Sequence, residues 1–367
     1  MGFLTYAVPI TVYIVGFLFE IAYTEKSNLG IQERERFRKK MNISIGILIF
    51  LIAALRGPGT GMDTGQYYRM FKDVLAEELP LSYYWSQLIT SISGGTFRDM
   101  YFWEFFMKLA SYVIRSAQGW LAFVSFLYLL SVYIIIDKYS ADPAISWLYI
   151  YYVFIFSFIL QGLRQSMAMA CIMFSFRYIM ERNWKGFILL ITLATLFHQS
   201  AMIFFLAYPI SMLKNPKGYI ITIIVAILCQ VVPSVALGII GKLAVNTRFA
   251  GYTSHISGLS WSSFFIQLAI FAFCYYYRTK DDEKDELITI LLNFSVMGIL
   301  MQSMTVIVAE MFRVSYYFNM FNMLLLANIC KSIGDEKYNQ SYRIAIITLL
   351  FAYNFVSGAY RYWFFWQ

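Results

Sequence analysis

Charged side chains are scarce in this chain of 367 residues, where Asp, Glu, Lys and Arg together make up only 14%. Hydrophobic residues account for 60%, and aromatic residues alone for 19%. A soluble domain has too little interior to bury so much apolar side chain, so a bilayer must be the solvent for most of the chain. The composition therefore excludes an ordinary soluble protein and predicts an integral membrane protein.

Cysteine and histidine are rare as well, with four Cys and two His in the whole chain. The cysteines stand singly in apolar runs and have none of the spacings of zinc sites or disulfide frameworks, so we expect small core residues. No outward-facing D-x-D motif is present. The sequence therefore predicts an activity without a metal ion or another cofactor. The cysteines are Cys171, Cys229, Cys274 and Cys330.

Apolar stretches fill most of the sequence, and about 20 such residues are enough for a membrane-spanning helix. We predict an all-α polytopic membrane protein of about twelve spans, forming a single transmembrane domain over residues 1–367. The two stretches on either side of His198 are short, so two crossings and one long bent helix both fit. The stretches are 3–23, 41–56, 119–137, 143–160, 163–180, 184–198, 200–213, 218–240, 261–278, 286–308, 311–330 and 341–360.

The segment between the second and third predicted spans differs in kind from the rest of the chain. Residues 57–118 mix charged side chains with many Tyr, Trp and Phe. This composition suits amphipathic helices that lie at the membrane interface. We therefore predict an extracytoplasmic amphipathic segment within the transmembrane domain.

The basic residues predict the orientation. With the N-terminus outside, 18 of the 29 Lys and Arg fall on one side, which the positive-inside rule makes cytoplasmic. This topology accounts for most of the net charge of +8, so we expect no nucleic-acid partner. A group of ionisable residues then falls at the extracytoplasmic ends of the helices. The group is Arg56, Asp63, Arg164, His198, Arg248, His255, Glu310, Arg313 and Arg361.

Ionisable groups in apolar helices cost about 2.5 to 3.5 kcal/mol on insertion scales, so they usually face a polar cavity or a partner. Helical spacing predicts that some of them form polar stripes on two helices. The guanidinium group of Arg is always charged and fits phosphate oxygens with a rigid fork of donors. A lipid diphosphate is therefore the ligand that we expect. The stripes are Gln161, Arg164 and Gln165 on one helix, and Gln302, Glu310, Arg313 and Tyr317 on the other.

Four motifs in order resemble a known family. Arg56 begins R-x4-G-x-D-T-x2-Y, which includes Gly61, Asp63, Thr64 and Tyr67. Residues 164–168 match R-Q-x-[LM]-A, residues 194–201 match A-x-x-F-H-x-S-A, and Arg313 begins R-x2-Y. Over roughly 41–330 the chain resembles the EpsG family, the Wzy-like polymerases of bacterial exopolysaccharide, capsule and O-antigen.

The resemblance implies a glycosyltransferase with a multi-helix fold related to the GT-C superfamily, in the bacterial cytoplasmic membrane. Such an enzyme transfers a glycan from undecaprenyl diphosphate to another lipid-linked repeat unit at the outer face. The expected partners are this lipid-linked oligosaccharide, the lipid bilayer, and other polysaccharide export or flippase proteins.

For the site, we expect a diphosphate clamp of Arg56, Arg164 and Arg313, because preorganised cations stabilise the leaving diphosphate. The acceptor hydroxyl needs a general base, for which the candidates are Asp63, ranked first, then His198 and Glu310. The secondary candidates are Thr64, Tyr67, Gln165, Arg248 and Tyr317.

Alternatives remain open at this stage. A flippase of lipid-linked sugars also needs a charged cavity, and an outer-face glycan ligase shares the donor chemistry. A scaffold of an export complex would not need the Arg and Asp pattern. Among the residues, Arg56 also fits an interfacial anchor, Asp63 a turn residue and His198 a packed core histidine.

Overall fold

A computed structural model describes the chain except for Met1, 26–29, 154, 215, 233–260, 280–284, 307, 309, 334–335, 357–361, 363 and 367. The described part is helical, with one isolated β-bridge between Arg56 and Phe364, which confirms the all-α class. It forms two compact units: Met1–Met202 with Glu336–Gln367, and Ile203–Asp335. We call them the first unit and the second unit. The single domain over 1–367 stays a prediction.

The helices of the first unit follow one another with short connections. The helices are α1 (Gly2–Glu25), α2 (Ile31–Ala54), α3 (Thr64–Ala76), α4 (Leu81–Ser93), α5 (Asp99–Ser111), α6 (Ala117–Tyr139), α7 (Pro143–Tyr152), α8 (Ile155–Gln161), α9 (Leu163–Met180), α10 (Trp184–Phe197) and, after the second unit, α17 (Glu336–Val356). Helices α3, α4 and α5 lie in the predicted amphipathic segment, which is thus helical as expected.

The helices of the second unit are shorter. A 3-10 helix, Gln199–Leu206, leads from the first unit into the second. The helices are α11 (Ala207–Ile210), α12 (Pro216–Val231), α13 (Trp261–Tyr277), α14 (Glu286–Ser303), a 3-10 turn (Met304–Val306), α15 (Met311–Asn319) and α16 (Asn322–Ser332). All four cysteines of the chain are buried free thiols, as the sequence predicted.

The predicted spans match the helices well in some places and are broken in others. The predictions 163–180 and 261–278 agree with α9 and α13 to within about one residue. The prediction 311–330 is wrong as one helix, because the chain turns between α15 and α16. Asn319 and Asn322 flank this turn, and asparagine is a poor helix former. The prediction 143–160 is likewise divided into α7 and α8.

The chain around His198 is not one long bent helix. Helix α10 ends at Phe197, and His198 takes an extended conformation with φ −153° and ψ 112°. The 3-10 helix then begins at Gln199. His198 therefore lies in a break between two helical elements, and its side chain belongs to the face of neither helix.

Both predicted polar stripes are wrong as single helix faces. Gly162 separates α8 from α9, so Gln161 ends one helix while Arg164 and Gln165 begin the next. A Cβ atom at Gly162 would lie 2.8 Å from the ring of Phe158, so glycine permits this tight connection.

The second stripe fails because α14 ends at Ser303, before Glu310 and Arg313 are reached. The side chain of Gln302 instead accepts a hydrogen bond from Ser315 across the bend, at 2.9 Å. Glu310, which directly precedes α15, is exposed.

Among the described residues, two helical segments are long and apolar enough to cross a membrane by length and composition: Ala117–Tyr139 and Glu286–Val306. Shorter apolar helices include Trp184–Phe197 and Lys217–Val231. The fold is therefore compatible with a membrane protein, whereas twelve spans and a GT-C fold stay predictions.

A buried ion pair holds one end of the first unit together. The Nε atom of Arg343 on α17 donates to Oδ2 of Asp142 at 2.7 Å. The other oxygen of Asp142 accepts from the backbone of Ala144 at 2.9 Å and so caps the start of α7. Asp137, at the end of α6 and five residues before Asp142, accepts a hydrogen bond at its carbonyl from Arg38 on α2, at 3.0 Å. The candidate site lies at the other ends of α2 and α6.

Candidate functional site

Asp99 joins two of the predicted site residues. Its Oδ1 accepts a hydrogen bond from Nη1 of Arg164 at 2.9 Å, and its Oδ2 lies 3.0 Å from Nδ1 of His198. The backbone N–H of Gln199 donates to the same Oδ2 at 3.4 Å. Arg164 also donates from Nε to the hydroxyl of Tyr67 at 3.4 Å. We call Tyr67, Asp99, Arg164 and His198 the Asp99 cluster.

Helix ends place these side chains. Asp99 is the first residue of α5, Arg164 the second residue of α9, and His198 directly follows α10. Helix ends leave backbone groups unpaired, so polar side chains gather there at little cost. The side chains of the three ionisable residues are 16 to 22% exposed, which shields their charges but leaves room for a ligand to contact them.

Aromatic packing holds α10 against α5 beneath the cluster. The ring of Phe197 meets Phe102 and Phe106 edge-on, with centroids 4.9 and 5.2 Å apart. Trp103 packs edge-on against Tyr67 at 5.7 Å. Edge-to-face aromatic pairs add about 0.5 to 1.5 kcal/mol each beyond the area that they bury. The packing therefore fixes the backbone of His198 opposite Asp99.

Charge in the cluster is balanced around Asp99. Burial of the Asp99 carboxyl raises its pKa, but the hydrogen bond with His198 and the charge of Arg164 outweigh burial, so the pKa lies below its ordinary value. Asp99 is therefore ionised at neutral pH. On the same helix, burial and the charge of Glu77 raise the pKa of Glu104, while Arg164 opposes the rise.

The Asp99 contact gives His198 a defined chemistry. A carboxylate only accepts hydrogen bonds, so Nδ1 of His198 carries a proton and its N–H donates a hydrogen bond to Asp99. In the neutral imidazole, Nε2 is then the nitrogen that can accept a proton. An Asp that orients a His in this way is the arrangement of a general base with its positioning carboxylate.

The glycine-rich motif packs beside the cluster. The hydroxyl of Thr64 is buried and donates to the carbonyl of Leu160 at 2.9 Å, and the N–H of Met62 donates to Oε1 of Gln161 at 2.9 Å. The carbonyl of Asp63 accepts the N–H of Tyr67 at 3.1 Å and so starts α3. Its carboxylate makes no hydrogen bond to a residue that the structure describes.

Arg56 is fully buried, in contrast to the accessible clamp residue that we expected. Its Nη1 donates to the carbonyl of Ala53 and, at 2.7 Å, to the hydroxyl of Ser125. Its Nε and Nη2 have no hydrogen-bond acceptor within the described part of the chain. The backbone of Arg56 forms a bridge with Phe364. In this arrangement the guanidinium has no exposed surface.

The remaining predicted residues have other places in the chain. Gln165 is buried beside Arg164 on α9. Glu310, Arg313 and Tyr317 belong to the second unit, where Tyr317 is buried and the N–H of Arg313 donates to the carbonyl of Glu310 at 2.9 Å. Three predicted residues lie outside the described residues: Arg248, His255 and Arg361.

Sequence reasoning missed Asp99 altogether. Asp99 directly follows Arg98 in a charged and aromatic segment, where the two residues resemble an ordinary ion pair on the surface. Its partners lie 65 and 99 positions away, a separation to which no helical periodicity applies. The one signal in the sequence is an acidic residue in the first turn of a helix, after the Gly94-Gly95 turn.

An apolar chain whose described part is helical, with ionisable residues gathered at helix ends, is compatible with a helical membrane protein. A profile of the EpsG family matches residues 40–365, and the chain therefore belongs to the EpsG family. No curated protein and no solved structure matches the chain significantly. Membership confirms the family prediction and places the chain among Wzy-like polymerases, which act in polysaccharide biosynthesis at membranes.

Proposed function

We propose that this protein polymerises undecaprenyl-diphosphate-linked oligosaccharide repeat units at the outer face of the bacterial cytoplasmic membrane. The observation that carries the proposal is the bridge of Asp99 between Arg164 and His198. A guanidinium suited to a diphosphate lies beside an imidazole oriented by a carboxylate, and this arrangement supports the proposal. Membership in the EpsG family supports the same reaction.

In the proposed step, Nε2 of His198 takes the proton of the acceptor sugar hydroxyl. The acceptor oxygen forms a bond to the anomeric carbon of the donor glycan while the bond from that carbon to the diphosphate oxygen breaks. The electron pair leaves with undecaprenyl diphosphate. General-base catalysis of this kind contributes about 10²- to 10⁴-fold in rate. Asp99 keeps the imidazole oriented and stabilises its positive charge once the proton has moved.

Arg164 stabilises the leaving group in this proposal. Its Nη1 and Nε contact Asp99 and Tyr67, whereas Nη2 donates to no residue that the structure describes. We assign Nη2 to a phosphate oxygen of the donor, where charge develops as the bond breaks. The Asp99 contact fixes the guanidinium plane in advance, so little reorganisation is needed.

The other predicted residues keep subordinate roles. Arg56 and Arg313 remain proposed members of the clamp, and a diphosphate reaches the fully buried guanidinium of Arg56 only if the surrounding residues move. Asp63 and Glu310 remain alternative bases. The pairing with Asp99 now ranks His198 above Asp63, whose carboxylate no described residue orients.

The test is to place the purified protein in lipid nanodiscs with a lipid-linked repeat unit and to separate the products on a gel. A polymerase gives a ladder with steps of one repeat unit. A ligase gives one transfer product without a ladder. A flippase gives no product but moves the lipid-linked sugar across proteoliposomes, and either of these outcomes overturns the proposal.

The matched variants are Arg164→Ala and Arg177→Ala, which remove the same side chain from opposite ends of α9. Arg177 pairs with Glu181 at 2.7 Å on an exposed surface. The ladder should be lost in the first variant and kept in the second. Equal ladders in both would remove Arg164 from the site.

A further inference from the structure

An exposed apolar strip runs along the hairpin of α4 and α5, close to the helix start that carries Asp99. The aromatic rings of Trp85 on α4 and Phe105 on α5 are 5.4 Å apart and join the two halves of the strip. The exposed fractions of Trp85 and Tyr112 are 51% and 52%, which is high for aromatic side chains. We call this strip the hairpin face. Its members are the exposed Trp85, Ile89, Ile92, Leu109 and Tyr112, together with the partly exposed Phe105.

Helix α4 is divided into three longitudinal stripes, as 3.6 residues per turn require. The buried stripe packs on α5. The hairpin face lies on one side of it, and a stripe of hydroxyl groups follows further around the helix. The buried stripe is Tyr84, Leu88 and Ser91, and the hydroxyl stripe is Ser82, Ser86, Thr90 and Ser93. A helix with adjoining apolar and hydroxyl stripes is suited to a boundary between an apolar and an aqueous phase.

Helices α4 and α3 differ in their content of charged residues. All 13 residues of α4 are uncharged. Helix α3, by contrast, exposes Arg69, Lys72 and Asp73. Trp and Tyr with aliphatic neighbours are the side chains that gather at the interface of a bilayer with water. Such a contiguous exposed apolar surface marks an interaction site, and the lack of charge favours lipid over a protein with a polar rim.

The connections of the hairpin favour the same partner. The hairpin lies in the chain between α2 and α6. Both of these helices expose large apolar side chains, including Ile47, Leu51 and Phe126, and α6 is long and apolar enough to cross a membrane. Residues 112–116 alone connect the hairpin to α6, whereas α3 and its connections separate the hairpin from α2, so the hairpin meets the bilayer surface next to α6.

We propose that the hairpin face docks into the outer leaflet of the bilayer at the level of the lipid head groups. Docking fixes the depth of α5 and thereby sets Asp99, its first residue, at the height where the diphosphate of a lipid-linked substrate lies. The docking itself is independent of the reaction, whereas its consequence for the substrate rests on the proposed function.

The test uses nitroxide labels on single introduced cysteines, because the four native cysteines are buried. Ile89→Cys and Leu109→Cys report the hairpin face, and Ser86→Cys on the hydroxyl stripe is the matched control. In nanodiscs of phosphatidylethanolamine and phosphatidylglycerol, collisions with oxygen should exceed collisions with a water-soluble nickel chelate at the first two positions. The order should be reversed at Ser86.

Nickel-chelate collisions at Ile89 and Leu109 as frequent as at Ser86 would overturn docking. If these two labels lie in water in empty nanodiscs and become shielded only when a lipid-linked oligosaccharide is added, the face binds glycan and the proposal is wrong. Lipid contact together with an absent ladder would instead sustain docking and count against the polymerase.

A second pair of variants keeps the test decisive. Ile89→Lys and Ser86→Lys each add one cation to an exposed position of α4. Ile89→Lys should lower lipid contact at a Leu109 label and reduce ladder formation by at least about tenfold, because Asp99 is no longer held at the height of the diphosphate. Ser86→Lys should change neither. A folded Ile89→Lys protein with unchanged lipid contact would contradict the proposal.

Discussion

The imidazole of His198 and the carboxylate of Asp99 meet at 3.0 Å although the two residues are 99 positions apart in the sequence. The contact ties the break after α10 to the first turn of α5. It also decides which ring nitrogen of His198 is available to a substrate. Both the proposed reaction and the first two predictions depend on this pair.

The first prediction is that His198 and Asp99 act as one unit. His198→Ala and Asp99→Asn should each slow the addition of repeat units by about 10²- to 10⁴-fold, because the base is removed or misoriented. The double variant should be about as slow as His198→Ala alone, since residues that act together are not additive. Initial rates measured on the gel ladder test this prediction. If the rate losses of the two single variants multiply in the double variant, His198 and Asp99 have independent roles.

The second prediction concerns the acid stability of the first unit. Because folding lowers the pKa of Asp99, its carboxylate contributes stability that is fully present above about pH 3.9, the ordinary value for Asp. This contribution is lost as the pH falls through the lower pKa of the folded state. Asp99→Asn should therefore cost about 1 to 3 kcal/mol at pH 6, and much less near pH 3.

Thermal unfolding in nonionic detergent between pH 6 and pH 3 measures this difference. Asp73→Asn, which changes an exposed carboxylate on α3, is the control. A stability gap between wild type and Asp99→Asn that stays constant or widens toward low pH would be inconsistent with the proposed ion pair.

The third prediction concerns the contact of Phe364 and Phe365 with the backbone at Leu55 and Gly57. A Cβ atom at Gly57 would lie 2.6 Å from the carbonyl oxygen of Phe364, and backbone cannot yield cheaply there. Gly57→Ala should displace Phe364 and Phe365 and lower the free energy of unfolding by about 1 to 3 kcal/mol, as overpacking does. The N–H of Phe365, which donates to the carbonyl of Leu55 at 3.0 Å, should lose protection from hydrogen exchange.

The matched control for this contact is Gly30→Ala, because a Cβ atom at Gly30 meets no described atom within 4 Å. It should leave hydrogen exchange at Phe365 unchanged. If the N–H of Phe365 stays protected from hydrogen exchange in Gly57→Ala, then Phe364 and Phe365 do not pack beside Arg56 as described.

The fourth prediction tests the second unit alone. A Cβ atom at Gly298 on α14 would lie 1.8 Å from Oδ1 of Asn319 on α15, so Gly298→Ala forces either the buried side chain of Asn319 or the two helices to shift. We expect a loss of about 1 to 3 kcal/mol in the free energy of unfolding. Gly218→Ala on α12, with open space around the new atom, should be neutral or stabilising by up to about 1 kcal/mol. Equal melting temperatures of the two variants would refute this packing.

The sequence predicts the helical class and several helix bounds because apolar side chains alone decide them. Helices α9 and α13 match their predicted stretches for this reason. The breaks near Asn319 and at His198 depend on local geometry and on contacts with other helices, which a count of apolar residues does not contain. The motifs also predicted Arg164 and His198 as site residues, but as members of separate blocks.

The two largest departures from the sequence predictions come from contacts made over long stretches of chain. Asp99 gains its role from residues 65 and 99 positions away. Arg56 is buried, its guanidinium donates to Ser125 on α6, 69 positions away, and its backbone bridges with Phe364 near the other end of the chain. Periodicity and motif spacing indicate only which residues are neighbours on one helix. Neither the role of Asp99 nor the burial of Arg56 could be predicted from them.

The central claim is that His198, oriented by Asp99, takes the proton of the acceptor hydroxyl. The most direct measurement compares ladder formation by wild type, His198→Ala and Asp63→Asn in the same nanodiscs with the same lipid-linked repeat unit. We predict that His198→Ala loses the ladder while still binding the donor, and that Asp63→Asn retains it. A ladder that persists in His198→Ala and disappears in Asp63→Asn would contradict the account.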